Sequence, residues 1–286
     1  MKKPQFILAG SGLLLLILIF FFGETIPPKK KNAVVQTDSQ ATPVKSISTQ
    51  DVLNASKAKL SPFQLSYVNS LEHSVVRGDV KNQQVIAFTQ LANFWQDSVP
   101  DGFLAYAYYT GETAKLENSE KKLTFAAQLF LENLRGQDDA GLKSWMADNA
   151  KELFEKSLQL NPNNDSARVG LGACYIFGSS AGSPQEVMLG IQRILDVANR
   201  DSNNMYAQFM LGLGGEMSGQ FDKAIERLTR VIRHEPGNVE AILTMAEINE
   251  KKGNKKEAVK WYDDAKGFIN DGKIIKEIDE RIKLLQ

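Results

Sequence analysis

Residues 205–238 can be laid over residues 239–272 without a gap, in register at 34 residues. Gly212 then falls over Ala246, Gly219 over Gly253, Ala224 over Ala258, Leu228 over Tyr262 and Val231 over Ala265. Thirty-four residues hold one helix, a turn and a second, antiparallel helix, a unit too small to bury its apolar face alone. Such units must stack on one another, each touching only its neighbours. An upstream copy keeps the second helix, because Gly190, Ile194 and Val197 lie 34 residues before Ala224, Leu228 and Val231. Its first helix is offset by 40, from Leu171 to Leu211, so six extra residues belong to the inter-helix stretch FGSSAGSP at 177–184. Residues 149–164, with Ala150, Phe154 and Pro162, supply one more second helix.

The glycine clusters GLGACY at 170–175 and GLGGEM at 212–217 invite a phosphate-binding reading. A dinucleotide fingerprint needs a third glycine and a preceding strand, so that backbone amides can approach a pyrophosphate. Here Tyr175 and Met217 stand at the third position, and NNDSARV and SNNMYAQFM precede the clusters as helix starts carrying N-cap residues. The glycines therefore belong inside helices, with Gly172 and Gly212 opposite Gly190 and Ala224 where the two helices of a unit cross. No cofactor is expected.

From Pro62 onward, runs with apolar spacings of three and four are punctuated by VPDG, GQDDAG, NPNND, DSNN, EPGN and NDG, and no alternating strand pattern interrupts them. The expected fold is all-α. The repeats resemble the tetratricopeptide repeat family, whose pattern is Trp-x2-Leu-Gly-x2-Tyr, then Ala-x3-Phe, then Pro. Leu171, Gly172 and Tyr175 match the middle element, Ala150 with Phe154 and Pro162 match the closing one, and Ala224, Leu228 and Pro236 follow it with leucine for phenylalanine. The departures are Arg168, Gln208 and Ile242 at the tryptophan position, Gly215 for the tyrosine and Ser202 for one proline. The resemblance implies a solenoid of antiparallel helix pairs over 140–270, held by Leu171, Gly172, Tyr175, Gly190, Leu211, Gly212, Ala224, Leu228, Pro236, Ala246, Ala258 and Tyr262. Residues 61–139 read as divergent helical repeats. In 271–286, Ile274, Ile275, Ile278, Ile282 and Leu285 form one stripe of a capping helix.

The N-terminus is of another kind. A tail of residues 1–5, MKKPQ, precedes FILAGSGLLLLILIFFF at 6–22, which carries no charge and would span about 25 Å as a helix, the short end of a transmembrane length. A cleaved signal peptide is the rival reading, but no small-x-small cleavage site follows. An uncleaved transmembrane anchor is the reading favoured here. Lys2 and Lys3 on one side nearly balance Lys29, Lys30 and Lys31 on the other. The shortness of the tail favours a cytoplasmic start, with the body facing the periplasm of a bacterial cell. Residues 23–60 lack aromatic side chains and read as a flexible tether reaching about 30–35 Å.

Lys plus Arg equals Asp plus Glu at 34 each, but the N-terminal 60 residues hold eight lysines against Glu24, Asp38 and Asp51, which leaves 26 basic and 31 acidic residues in 61–286. A mildly acidic body does not suit a phosphate backbone, so nucleic acid is not expected as a partner. Catalysis finds no constellation either. His73 and His234 are too far apart along a solenoid to share a site. Cys174, the sole cysteine, reads as a buried structural thiol. Asp138 and Asp139 sit at a helix start, and Asp263 and Asp264 lie beside Lys260 and Lys266 on a solvated face.

What remains is surface. The resemblance implies that first helices line a concave groove, here Val169, Ala173 and Phe177, then Tyr206, Phe209, Leu213 and Met217, then Leu243, Glu247 and Glu250. Family members that clamp a carboxylate place Lys, Arg and Asn there, whereas this groove is apolar with an acidic end. The expected partner is an apolar or basic protein segment. Packing between adjoining helices is the competing reading of the same positions. The expected function is a membrane-anchored interaction scaffold or chaperone-like accessory factor of the cell envelope. The alternative is a structural subunit of a stable inner-membrane complex for export, cytochrome assembly or envelope biogenesis. Solenoid ends and the span Ala9 to Gly12 both offer routes to self-association.

Overall fold

The computed structural model describes residues 46–77, 80–178 and 183–286. The anchor expected at 6–22 lies outside them, as do most of the tether and residues 179–182 of the inter-helix insertion. Among the described residues there are thirteen α-helices and no strand, and none of these helices is long and apolar enough to cross a membrane. In chain order they are α1 (Thr49–Lys57), α2 (Pro62–Arg77), α3 (Lys81–Asp97), α4 (Phe103–Glu117), α5 (Glu120–Leu134), α6 (Ala140–Leu160), α7 (Asp165–Phe177), α8 (Pro184–Arg200), α9 (Met205–Met217), α10 (Phe221–His234), α11 (Val239–Lys251), α12 (Lys255–Lys266) and α13 (Gly272–Leu285).

The helix starts follow from local chemistry. Asn164, Asn204 and Asn238 cap α7, α9 and α11, each side chain accepting the amide three residues on, at 2.9, 2.9 and 3.0 Å. An asparagine cap satisfies one of the amides that a helix start leaves unpaired. The turns from α9 to α10 and from α11 to α12 each place a glycine in the left-handed region, Gly219 at φ 72° and Gly253 at φ 77°. These two sites are what the 34-residue register aligns, because only glycine adopts that conformation without strain.

Helices pair as hairpins α3/α4, α5/α6, α7/α8, α9/α10 and α11/α12, with α5 against α6 the most extensive contact of all. The boundary drawn at residue 140 therefore falls between the two helices of one hairpin, and the regular array begins at Glu120. A buried polar cluster joins α5, α6 and α7: Thr124 and Ser157 hydroxyls lie 2.7 Å apart, and the Asn164 amide donates to Thr124 Oγ1 at 2.9 Å. Each buried polar atom finds a partner there, so the cluster costs little and fixes the register of three helices.

Across successive hairpins the first helices touch, α5 with α7, α7 with α9 and α9 with α11, while the second helices of these hairpins make no comparable approach. This asymmetry bends the stack so that α5, α7, α9 and α11 line the inner face. At the N-terminal end it inverts, with α4 touching α6. The change of packing mode is the physical reason the repeat register blurs before residue 120.

The tether reading of 23–60 fails over its last part. Ser48 and Asp51 form a reciprocal capping box, and α1 follows with Val52 and Leu53 buried. The helix lies against α4, Trp145 Nε1 donates to Thr49 Oγ1 at 3.0 Å, and Lys57 pairs with Glu72 of α2 at 2.9 Å. Two buried apolar side chains, a capping box and two polar attachments order a segment whose composition looked disordered. At the opposite end α13 packs on α12 with Ile278, Ile282 and Leu285 inward and Ile274 at 43% exposure. It caps the apolar face while leaving a polar outer side.

Candidate functional site

The inner face is less open than its sequence suggested. Val169, Ala173 and Phe177 on α7 and Phe209 and Leu213 on α9 are buried, and Tyr206 is half-buried. Because first helices pack directly on one another, these side chains fill the seams between α5, α7, α9 and α11 instead of lining a groove. Met217 at 57% exposure stands at the rim. Burial pushes the Tyr206 phenol well above its ordinary pKa, helped by Cys174, Glu132 and Glu240 nearby. Cys174 is itself fully buried, and desolvation raises its thiol pKa, which fits an inert role.

The C-terminal mouth of this face is open. Leu243, Glu247 and Glu250 of α11 line a pocket of about 420 Å³ with Lys251, Tyr262 and residues of α13, namely Ile274, Glu277, Ile278 and Arg281. The capping helix thus doubles as a pocket wall. Glu250 accepts from Arg281 Nε at 3.0 Å and from the Tyr262 hydroxyl at 3.1 Å, while Glu216 is paired with Lys251. Glu247 has no ion pair among the described residues. Its pKa is raised, first by desolvation and then by Glu216 and Glu250, against the opposing pull of Lys251 and Arg135. Glu247 is open to solvent yet stands beside two other carboxylates, so an added cation is favoured there.

Arg135 entered this region without any sequence signal. It follows α5, lies 5.7 Å over the Phe177 ring and pairs with Glu240 at the start of α11, 105 residues away. The contact crosses from the second hairpin to the fifth. Only a tightly wound inner face brings those ends together.

The residues named for repeat packing differ in their surroundings. Leu171, Leu211, Ala224, Leu228, Ala246, Ala258 and Tyr262 are buried. Tyr175 is half-buried between cations, with Lys151 Nζ at 5.5 Å and Arg193 at 5.8 Å from its ring. Pro236 is exposed in the turn before α11, where it restricts the backbone. A Cβ on Gly172 would meet the Gly190 carbonyl oxygen at 2.7 Å, as the crossing of α7 and α8 requires. Gly212 lies over Leu228, at 2.9 Å, and it is Gly215 that meets Ala224, at 3.1 Å, one helical turn further along than expected.

This geometry defines a tetratricopeptide-type α-solenoid. Residues 217–271, from the end of α9 through α12, match the tetratricopeptide repeat family. The fold is similar to that of TTC0263, a thermophilic tetratricopeptide repeat protein of Thermus thermophilus, with a TM-score of 0.52 at 14% identity over 72% of this chain and 98% of that one. Weaker likenesses are to YrrB, a tetratricopeptide repeat protein with an unusual peptide-binding site (TM-score 0.40, 17% identity, 68% of this chain and 92% of that one), and to MamA of Desulfovibrio magneticus RS-1 (0.42, 19%, 67% and 96%). No curated protein matches the chain.

Proposed function

We propose that this protein is an interaction scaffold whose C-terminal pocket takes up an apolar segment of a partner protein carrying a basic side chain. The observation that carries the reading is Glu247, an unpaired carboxylate in a pocket walled by Leu243, Ile274 and Ile278. The apolar wall supplies affinity and the carboxylate supplies selectivity for a cation, the division of labour seen when helices or extended peptides bind grooves.

A labelled amphipathic peptide of Leu and Arg should bind the full chain more tightly than the same peptide with Glu for Arg. Glu247→Gln should weaken the Leu/Arg peptide about five- to tenfold, about 1–1.4 kcal/mol. The pH dependence follows from the raised pKa. As pH falls, Glu247 takes up its proton sooner than an ordinary glutamate would, so affinity should drop on mild acidification in the parent and respond less in Glu247→Gln. Equal binding of the Leu/Glu peptide by the parent would overturn the proposal.

The uncharged run 6–22 and the short tail before it support a scaffold held at a membrane with its solenoid on the envelope side, while Lys2 and Lys3 nearly balance Lys29, Lys30 and Lys31. A reporter active only outside the cytoplasm, fused after Gln286, should be active on an uncleaved, membrane-bound chain. An inactive reporter would turn the pocket to the cytoplasm. The second reading, a permanent subunit of a membrane complex, draws on the aromatic surface of α2, where Phe63 is 85% and Tyr67 42% exposed beside Phe94. It requires a single partner that co-purifies in fixed stoichiometry.

A further inference from the structure

The guanidinium of Arg135 occupies a position built as a receptor for such a group. Beneath it lies the face of Phe177, a ring held rigid because the side chain is only 2% exposed. Glu240 closes one edge as an ion-pair partner, and Glu132 and Glu247 add negative potential to the same inner face. An aromatic face with a carboxylate at its rim is the chemistry that recognises arginine: the flat, weakly hydrated cation stacks on the ring while its edge N–H groups reach the acid.

Arg135 is held there loosely. Its side chain keeps 32% of its exposure and that of Glu240 keeps 59%, and ion pairs so open to water contribute little. The residue is the C-cap of α5, one position past the last helical residue. Removing it uncovers a stack and an acidic rim that stay in place, since Phe177 is fixed by core packing and Glu240 by α11.

We propose that this is an arginine-binding site of the inner face, occupied in the free protein by Arg135, and that a partner's arginine displaces it. The proposal rests on the scaffold reading above and names the residue type that its partner must present. Charge complementarity selects the occupant. Glu240 at the ring edge is the group a guanidinium on Phe177 would pair with, and its side chain, 59% exposed, is open to a cation from outside. The pocket at Glu247 lies on the same face, so one segment could place an arginine on Phe177 and an apolar side chain against Leu243.

The test uses the full chain and the labelled Leu/Arg peptide, with a Leu/Gln peptide as control, read by fluorescence anisotropy. If Arg135 blocks the site for most of the time, about 70–90% of it, Arg135→Ala should bind the Leu/Arg peptide about three- to tenfold more tightly than the parent. The Leu/Gln peptide should be indifferent to the change. Adding Glu240→Gln to Arg135→Ala should cancel most of the gain, while melting curves of both variants stay close to the parent. An Arg135→Ala protein that is folded and binds the Leu/Arg peptide no better than the parent overturns the proposal. Should the parent bind the peptide through Glu247 and ignore Arg135→Ala, the pocket reading stands and the arginine site falls. Should the parent fail to bind and Arg135→Ala bind, the arginine site stands and the Glu247 pocket is not the primary determinant. Absence of binding in every variant removes both.

Discussion

Phe154→Ala is expected to destabilise the solenoid by about 3–5 kcal/mol, lowering its melting temperature by roughly 6–20 °C for a body of this size. The ring is fully buried on α6, and it lies so close to Gly170 of α7 that no side chain could stand there. It is thus the filling between one hairpin and the next. Its loss leaves a cavity between two helices already tied together by the Asn164 side-chain amide, which donates to Ser157 of α6 at 3.3 Å and to Thr124 of α5 at 2.9 Å, so collapse into the space is obstructed. The comparison is Phe125→Ala on α5, where the ring is 50% exposed and the cost should be about 1 kcal/mol or less. Thermal unfolding followed by circular dichroism separates them. Equal costs would mean that the Phe154 ring does not hold the hairpins together.

That same residue shows how much of the fold could be read in advance. Ala150 with Phe154, and Ala224 with Leu228, mark the inner stripe of second helices, and the structure buries all four. Such positions are legible because a helix that must face a neighbour on one side repeats its apolar residues at a fixed spacing. Turn glycines are legible for a sharper reason, since φ 72° at Gly219 and 77° at Gly253 can be adopted at little cost only by glycine. The helix at 49–57 was hidden by its shortness and its two buried side chains, although the Ser48 and Asp51 spacing announces a capping box.

The candidate site was harder to see, and the difficulty is physical. Spacing tells which side of a helix faces inward, but Phe209 filling a seam and Leu243 lining an open pocket obey the same period. What separates them is the distance between neighbouring first helices and the presence of α13 beyond α11, both tertiary facts. Arg135 is the extreme case. Its stack on Phe177 and its pair with Glu240 join residues that only the winding of four hairpins brings together. The acidic end of the groove, by contrast, was visible in Glu247 and Glu250, because a charge left in a mostly apolar row is conspicuous in any register.

The winding itself can be tested at the crossing of α7 and α8. Gly190→Ala should destabilise the fold by about 2 kcal/mol, roughly 4–8 °C in melting temperature, even though alanine is the better helix former by about 1 kcal/mol. The new methyl would be driven against the Gly172 carbonyl oxygen, with Ile176 and Tyr175 closing the space at 3.0 Å on either side. Backbone cannot swing aside as a side chain can, so the helices must separate. Gly214→Ala tests the same reasoning with the opposite sign. Its nearest neighbour would be Ile176 Cδ1 at 3.7 Å, an ordinary contact, and the substitution should stabilise by about 0.5–1 kcal/mol. The double variant Gly172→Ala/Gly190→Ala should cost less than the two singles together, because one displacement of α7 from α8 makes room for both methyls. That displacement would move Phe177 at the end of α7, and with it the aromatic face under Arg135. Peptide binding should therefore weaken in Gly190→Ala at temperatures where the protein is still fully folded, while Gly214→Ala leaves it unchanged. A Gly190→Ala protein as stable as the parent would mean that α7 and α8 cross less closely than the glycines imply, and the inner face built on that crossing would have to be redrawn.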